Sequence, residues 1–167
     1  MSKSEVLRLF NLSVDGFGFA GQAENITPPK LTLKTEEDRS GGVDGTSLVD
    51  VGMEAMELSY TVKKADPDLM SMFGLVKNGQ KAITLRGGID RAGTTVSDVI
   101  NARGRLIEID EGELTAGKKV EQKHRWTVDY YKRTIDGKVI HEIDVDNAIR
   151  IINGVDQLKE LRDAAGL

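Results

Sequence analysis

Alternation of apolar and polar residues, broken by tight Asp-Gly turns, constrains this chain more than any other feature. At Asp15-Gly16 and again at Asp136-Gly137, a glycine that accepts positive φ closes the turn between two alternating runs, the pattern of a short β-hairpin. Residues 8–14 form the first run, and Phe17 and Phe19 continue as its partner. Residues 57–63 send Leu58, Tyr60 and Val62 one way and Glu57, Ser59 and Thr61 the other, as a half-buried strand requires. Further strands are expected over 30–38, with Leu31 and Leu33 on one face, and over 81–89, 95–109, 120–134 and 138–145. In the run 120–134, Trp126, Val128 and Tyr130 share a face.

Two helices interrupt this pattern. Asp66-Pro67, followed by Leu69, Met70, Met72 and Phe73 and stopped by Gly74, reads as a short helix with an acidic first turn. A C-terminal helix over 154–165 is expected, capped by Asn153, with Asp156 at its third position. Val155, Leu158 and Leu161 give it an apolar stripe that docks on the sheet. Pro28-Pro29 forbids helix and central-strand pairing. Over residues 40–56 regularity is lost: Gly41, Gly42, Gly45 and Gly52 mix with aliphatic residues and methionines, so a long loop is expected. The whole reads as mainly β, an antiparallel sandwich or barrel with one short internal helix and a C-terminal helix, in a single domain over 1–167.

Composition narrows function by exclusion. The 167 residues include no cysteine and two histidines, His124 and His141, which lack partners at ligand spacing, so thiolate zinc sites, cysteine nucleophiles and imidazole metal centres are not expected. The start, MSKSEVLRLF, has no apolar signal core, and no stretch reaches the roughly 18 apolar residues of a membrane span. Assembly in a cytoplasm, without a membrane anchor, is expected. Net charge is −4, yet residues 36–57 alone hold Glu36, Glu37, Asp38, Asp44, Asp50, Glu54 and Glu57 against Arg39. Gripping nucleic acid through its phosphates needs the opposite bias.

The reactive motifs dissolve on inspection. Gly16-Phe17-Gly18-Phe19-Ala20-Gly21 fits G-x-G-x-x-G with Glu36 downstream, but Pro28-Pro29 interrupts the helix whose N-terminus would hold a pyrophosphate. Asp144-Val145-Asp146 is one D-x-D in a chain with 27 acids and reads as a solvated strand end. Both histidines sit in strands as structural polar residues. No catalytic, metal or cofactor residue is expected, and no enzyme. The 40–56 loop is different, because loops of this length are uncommon in compact domains. Val43, Asp44, Leu48, Val49, Val51, Met53 and Met56 lie in it, and together its apolar members would leave a sticky patch that a neighbouring subunit is expected to cover.

Glu142 onward, EIDVDNAIRIINGVDQLKELRDAAGL, with Tyr130-Tyr131-Lys132 and Ile135-Asp136-Gly137-Lys138 before it, closely resembles the major tail tube protein family of contractile phage tails and R-type tailocins. Pro29-Lys30-Leu31, Glu36, Arg39, Gly41-Gly42, then Val49-Asp50-Val51-Gly52-Met53-Glu54 and Arg103-Gly104-Arg105 with Glu108 and Asp110 extend the resemblance along most of the chain. It implies a subunit of six-membered rings stacked into a hollow tube inside a contractile sheath, with the 40–56 loop reaching the adjacent ring. Implied partners are copies of the chain, sheath, baseplate and tail terminator proteins, with DNA only as unspecific cargo in a phage; the finished particle is a released virion tail or tailocin. If Leu31, Leu33, Leu58, Tyr60 and Val62 face the core, then Lys34, Glu36, Asp38, Glu57, Ser59 and Thr61 face the channel, a mildly acidic lining that repels phosphates. Two alternatives are a tube protein of a secretion system, and a soluble sandwich that binds sugar or peptide through exposed aromatics. The chain has one Trp, three Tyr and four Phe for that purpose.

Overall fold

The computed structural model describes residues 4–18, 22–75, 77 and 79–167. Twelve strands and two helices are found among them: β1 Glu5–Val14, β2 Phe17–Gly18, β3 Ala23–Thr27, β4 Leu33–Asp38, β5 Ser47–Met53, β6 Met56–Val62, α1 Pro67–Met70, β7 Lys81–Arg91, β8 Thr94–Asp110, β9 Gln122–Ile135, β10 Lys138–Asp144, β11 Ile149–Ile152, β12 Val155–Asp156 and α2 Lys159–Ala165. All strand pairings are antiparallel. Ten strands form one sheet in the order β12-β11-β10-β9-β8-β7-β1-β2, with β6 joining β9 to β3, while β4 and β5 form a separate pair. Phe19, expected to continue β2, and the rest of the glycine motif to Gly21 lie outside the described residues.

β9 organises the sheet. One edge pairs with β8 from Lys123 to Ile135; the other pairs first with β6, up to Val128, and then with β10, from Tyr130. Between the two partners sits Asp129, an extra residue in the β8 ladder, where Arg103 opposes Tyr130 but Gly104 opposes Val128. Such a bulge bends the strand and reverses which face the following side chains take. Gln122, His124, Trp126 and Val128 point into the core before it, and Tyr131 after it. The bulge therefore corrects the sequence reading of Tyr130: it leaves the face of Trp126 and Val128, lies under the Arg103 guanidinium at 4.2 Å, and donates to Glu142 at 3.1 Å. The polar groups of Asp129 are satisfied, its carbonyl by the Val145 amide at 2.9 Å and its carboxylate by Gln80 and Arg105.

Leu12, Val14, Leu58, Tyr60, Ile83, Ile100, Leu106, Trp126 and Tyr131 build the core, closed at one end by Leu69 of α1. α1 is a single turn that ends at Met70, short of the stop expected at Gly74, and Asp66 caps it, accepting from the Asp68 amide at 2.9 Å. As the sequence indicates, Asp15-Gly16 and Asp136-Gly137 turn at positive φ. A polar chain threads this core. The Trp126 indole donates to the Tyr60 hydroxyl at 3.0 Å, that hydroxyl meets His124 Nδ1 at 3.2 Å, and His124 Nε2 meets Gln122 Oε1 at 3.2 Å. Neutral His124 satisfies the chain, accepting at Nδ1 and donating at Nε2. Burial pushes its imidazole down to about 4, with the Asp66 carboxylate pulling the other way.

Several expectations are corrected. Residues 40–56 are not a loop: 47–53 are β5, and only 39–46 turn between β4 and β5. The glycines concealed this, since β5 contains Gly52 at φ 126. Met56 begins β6 and is a core residue, 2% exposed. Leu33 is exposed on β4, although Leu31 packs against the core. The C-terminal helix is shorter than 154–165. Asn153-Gly154 is the hairpin turn from β11 to β12, where both residues adopt positive φ, and Leu158 occupies the N-cap without a side-chain cap bond. Nor does an apolar stripe hold this helix, because Val155 and Leu161 are exposed. Arg162 holds it instead, forking onto Asp156 and donating to the Ala148 carbonyl at 2.8 Å.

Two consequences can be measured. A Cβ on Gly104 would lie 2.0 Å from the Thr127 carbonyl oxygen, a backbone atom, whereas one on Gly87 would press on Leu7 Cδ1 at 2.9 Å, the end of an exposed side chain, with the Asp98 carbonyl at an ordinary 3.7 Å. Gly104→Ala is expected to cost about 3 kcal/mol in chemical denaturation, and Gly87→Ala to stay within about 0.5 kcal/mol. The second concerns acid. His124 takes a proton near pH 6.5 when unfolded and near 4 when folded, so the unfolded state binds more protons between these values and stability falls as pH drops through them. The loss approaches about 3 kcal/mol by pH 4. His124→Gln should flatten that segment of the stability profile relative to its own value at pH 7.

Candidate assembly surfaces

β4 and β5 stand away from the core. Leu33 pairs with Met53, Thr35 with Asp50, Glu36 with Val49, Glu37 with Leu48 and Asp38 with Ser47. Every residue of β4 is exposed, as is every residue of β5 except Met53, which packs against the core at the base. The pair prolongs β3 and β6 beyond the body: β3 leads through Pro28-Pro29 into β4, and β5 returns through Glu54 and Ala55 into β6. A backbone bond from Glu54 to the Thr32 carbonyl at 2.9 Å spans the junction. Asp50 ties the hairpin down by accepting from the largely buried Arg150 at 2.6 Å. That guanidinium, with the Gly52 amide, holds the Asp50 carboxyl below the usual carboxylate range.

A two-stranded hairpin with neither face packed is marginal in water. Here Val43, Leu48, Val49 and Val51 are all exposed, Leu48 at 67%. The subunit as a whole exposes 11087 Å². A compact monomer of its mass, 18.3 kDa, exposes about 8,100 Å². The subunit is therefore less compact than an ordinary monomer of its mass, with the projecting β4-β5 pair as one exposed element.

The residues expected to line a channel fall on two sheets, Lys34, Glu36 and Asp38 on β4 and Glu57, Ser59 and Thr61 on β6. Those on β4 share a hairpin face and are exposed. On β6 the picture changes. Thr61 is only 5% exposed, lying between its cross-strand partners Glu24 and Lys123, whose longer side chains flank it. Glu57 is not a free acid: Arg125 donates to it at 2.9 Å and to Glu108 at 2.8 Å. With Lys123 and Arg105 nearby on β9 and β8, this face is close to neutral, which corrects the acidic lining expected on β6. Sequence reasoning missed Arg125 because its partners are 68 and 17 residues away and become neighbours only through the β6-β9-β8 register.

No group of three or more His, Cys, Asp or Glu side chains that could hold a metal ion occurs among the described residues. Of the aromatics, Trp126, Tyr60 and Tyr131 are buried, whereas Phe17 and Phe73 are exposed at separate places in the chain.

Comparison with known proteins agrees with this geometry. The model of the family described as phage tail tube protein FII matches residues 4–166. The tail tube protein of Escherichia phage P2 is 36% identical over 172 residues, covering 100% of both chains, and the major tail tube protein of Serratia phage KSP20 is 34% identical over 151 residues, covering 89% of this chain and 88% of its own. Among solved structures, the fold resembles chains of the PVC extracellular contractile injection system. One is from its sheath/tube terminator (TM-score 0.60, 16% identity, 75% of this chain and 93% of the other), and one from its sheath-tube complex (0.59, 15%, 75% and 88%). A chain of the anti-feeding prophage baseplate is also similar (0.55, 13%, 80% and 97%). The chain belongs to the phage tail tube protein FII family: it is a structural, non-enzymatic subunit of a tail tube.

Proposed function

We propose that six copies of this chain close into a ring, that rings stack into a hollow tube, and that the β4-β5 hairpin is the element reaching from one ring to the next. The free hairpin carries the reading, because its apolar residues and its backbone edges have no cover within the subunit. The similar anti-feeding prophage chain belongs to an assembly symmetrised six-fold, which supports the ring order. Sheath, baseplate and terminator proteins are the further partners, in keeping with the sheath-tube and terminator assemblies of the similar PVC chains. The tube is assembled in the bacterial cytoplasm and leaves as part of the tail particle.

The channel wall in this reading is the polar face of β6, β9 and β8, with Glu57, Ser59, Lys123, Arg125 and Thr127, extended by Lys34, Glu36 and Asp38 of the hairpin. Arg125 is committed to two carboxylates, so it offers no phosphate grip, and the acids it neutralises add little repulsion. DNA, where the particle carries it, slides past such a wall as unspecific cargo. Sheath contraction then drives the rigid tube through the target envelope. A secretion-system tube remains a second reading of the same fold, less well supported because the curated relatives are phage proteins.

Replacing residues 37–48 by Asn-Gly joins Glu36 to Val49, which already face each other, through a two-residue turn and spares Asp50. Circular dichroism should show a folded subunit, and negative-stain images should show rings with tubes at least about tenfold shorter than those of the parent, as loss of the ring-to-ring contact requires. Tubes of parental length would refute the hairpin's role.

A further inference from the structure

The hairpin needs an acceptor, and the topology places one at the opposite end of the same strands. β6 starts at Met56 beside Val128, where the hairpin attaches, and ends at Val62 beside Gln122. The hairpin runs farther from Gln122 still, because Asp50 reaches Arg150, which pairs with Ile143 and through it lies level with Tyr131. At the Gln122 end, residues 111–121 join β8 to β9, and every one of them is exposed. The Lys118 amide bonds to the Thr115 carbonyl at 3.1 Å and Gly117 takes φ 87, curling the loop so that Lys118 and Lys119 sit between the exposed Leu114 and Val120.

The hairpin offers the complement. On the face it shares with Asp50, Glu37 opposes the exposed Leu48, and the tip carries Val43 next to Asp44, an acid beside an aliphatic in both places. Neither these two acids nor Lys118 and Lys119 have an ion-pair partner among the described residues, whereas Asp50, Glu57 and Glu108 do. The loop also carries Glu111, Glu113 and Glu121, so the complement lies in the adjacent Lys118-Lys119 pair and not in the net charge of the loop.

We propose that residues 111–121 of one copy receive the β4-β5 hairpin of the next copy along the tube, with Lys118 and Lys119 against Glu37 and Asp44, and Leu114 and Val120 against Val43 and Leu48. This rests on the hairpin being the ring-to-ring element. A contact between two different surfaces at opposite ends of a subunit is heterologous and does not close, so it propagates as a filament.

Charge exchange tests the pairing. Lys118→Glu with Lys119→Glu should keep the fold and the rings but shorten tubes at least about tenfold, and adding Glu37→Lys with Asp44→Lys should restore them. The cysteine-free chain permits a second test. Val43→Cys combined with Ala116→Cys, oxidised in assembled tubes, should give a disulfide ladder on non-reducing gels that neither single variant gives. Tubes of normal length in the lysine double variant, failure of the four-residue exchange to restore length, or tubes without a ladder would each overturn the acceptor. If the 37–48 replacement abolishes tubes while the lysine variant does not, only the acceptor falls; tubes surviving both would remove the ring-to-ring hairpin as well.

Discussion

The close approach of Gly104 to the Thr127 carbonyl, and the bulge at Asp129 that accompanies it, is the contact on which the rest of the subunit depends. A regular β9 would offer one straight edge to one partner. With the bulge it offers two edges in tandem, one to β6 and one to β10, and turns Tyr131 into the core where Trp126 and Val128 left off. The branch lets a single sheet support two extensions, the β3-β6 arm that rises into the hairpin and the β10-β12 meander that ends in α2. Arg150 links the extensions by reaching from β11 to Asp50 on β5. Only a residue without a Cβ fits at position 104, so this architecture is written into one glycine of the Arg103-Gly104-Arg105 run.

The hairpin shows what the subunit lacks by itself. Its strands satisfy each other along one edge and leave the outer edges open, and its aliphatic residues meet no core. In a monomer this arrangement invites uncontrolled association. Within a tube the same features become useful, since an element that gains its packing only on assembly contributes nothing to stability until the next ring arrives. The Asp50-Arg150 ion pair fits that role: it fixes the base of the hairpin while leaving residues 39–46 exposed for a partner.

Much of the fold was legible in the sequence, and the places where it was not have physical reasons. Alternation in residues 57–63 and the Asp-Gly turns identified strands because each side chain there has one wet and one dry neighbour. The start of the Asp66-Pro67 helix was legible from its proline and acidic first turn, but its end was not, because it stops at Met70 before Gly74. β5 was hidden since both its faces are wet in the subunit, so no period-two pattern is selected, and its glycines mimic a loop. Asn153-Gly154 is a turn dipeptide that also resembles a helix cap, and only the β11-β12 pairing decides between them. Bulges defeated face assignment at Tyr130, because an inserted residue shifts the period without leaving a mark in composition. The near-neutral β6 face was beyond reach for a different reason: Arg125 neutralises acids that are distant in sequence.

Charge is distributed along the subunit with a pattern that bears on its direction of growth. Along the walls of the sheet, several charges occur in closed sets: Arg125 with Glu57 and Glu108, Arg133 with Asp98, and Arg105 with Asp129. At the two ends of the β6-β9 strand pair, on the hairpin and on the 111–121 loop, they are left open. Closed sets have little reach through salt solution, where fields decay over about 10 Å, so these pairs contribute little to attracting or orienting an incoming subunit. Open charges such as Lys118 and Lys119 on the loop, and Glu37 and Asp44 on the hairpin, do both where they meet at close range. A subunit whose hairpin fits a different surface at its other end adds in one orientation, and that single orientation gives a filament made of identical parts a defined top and bottom.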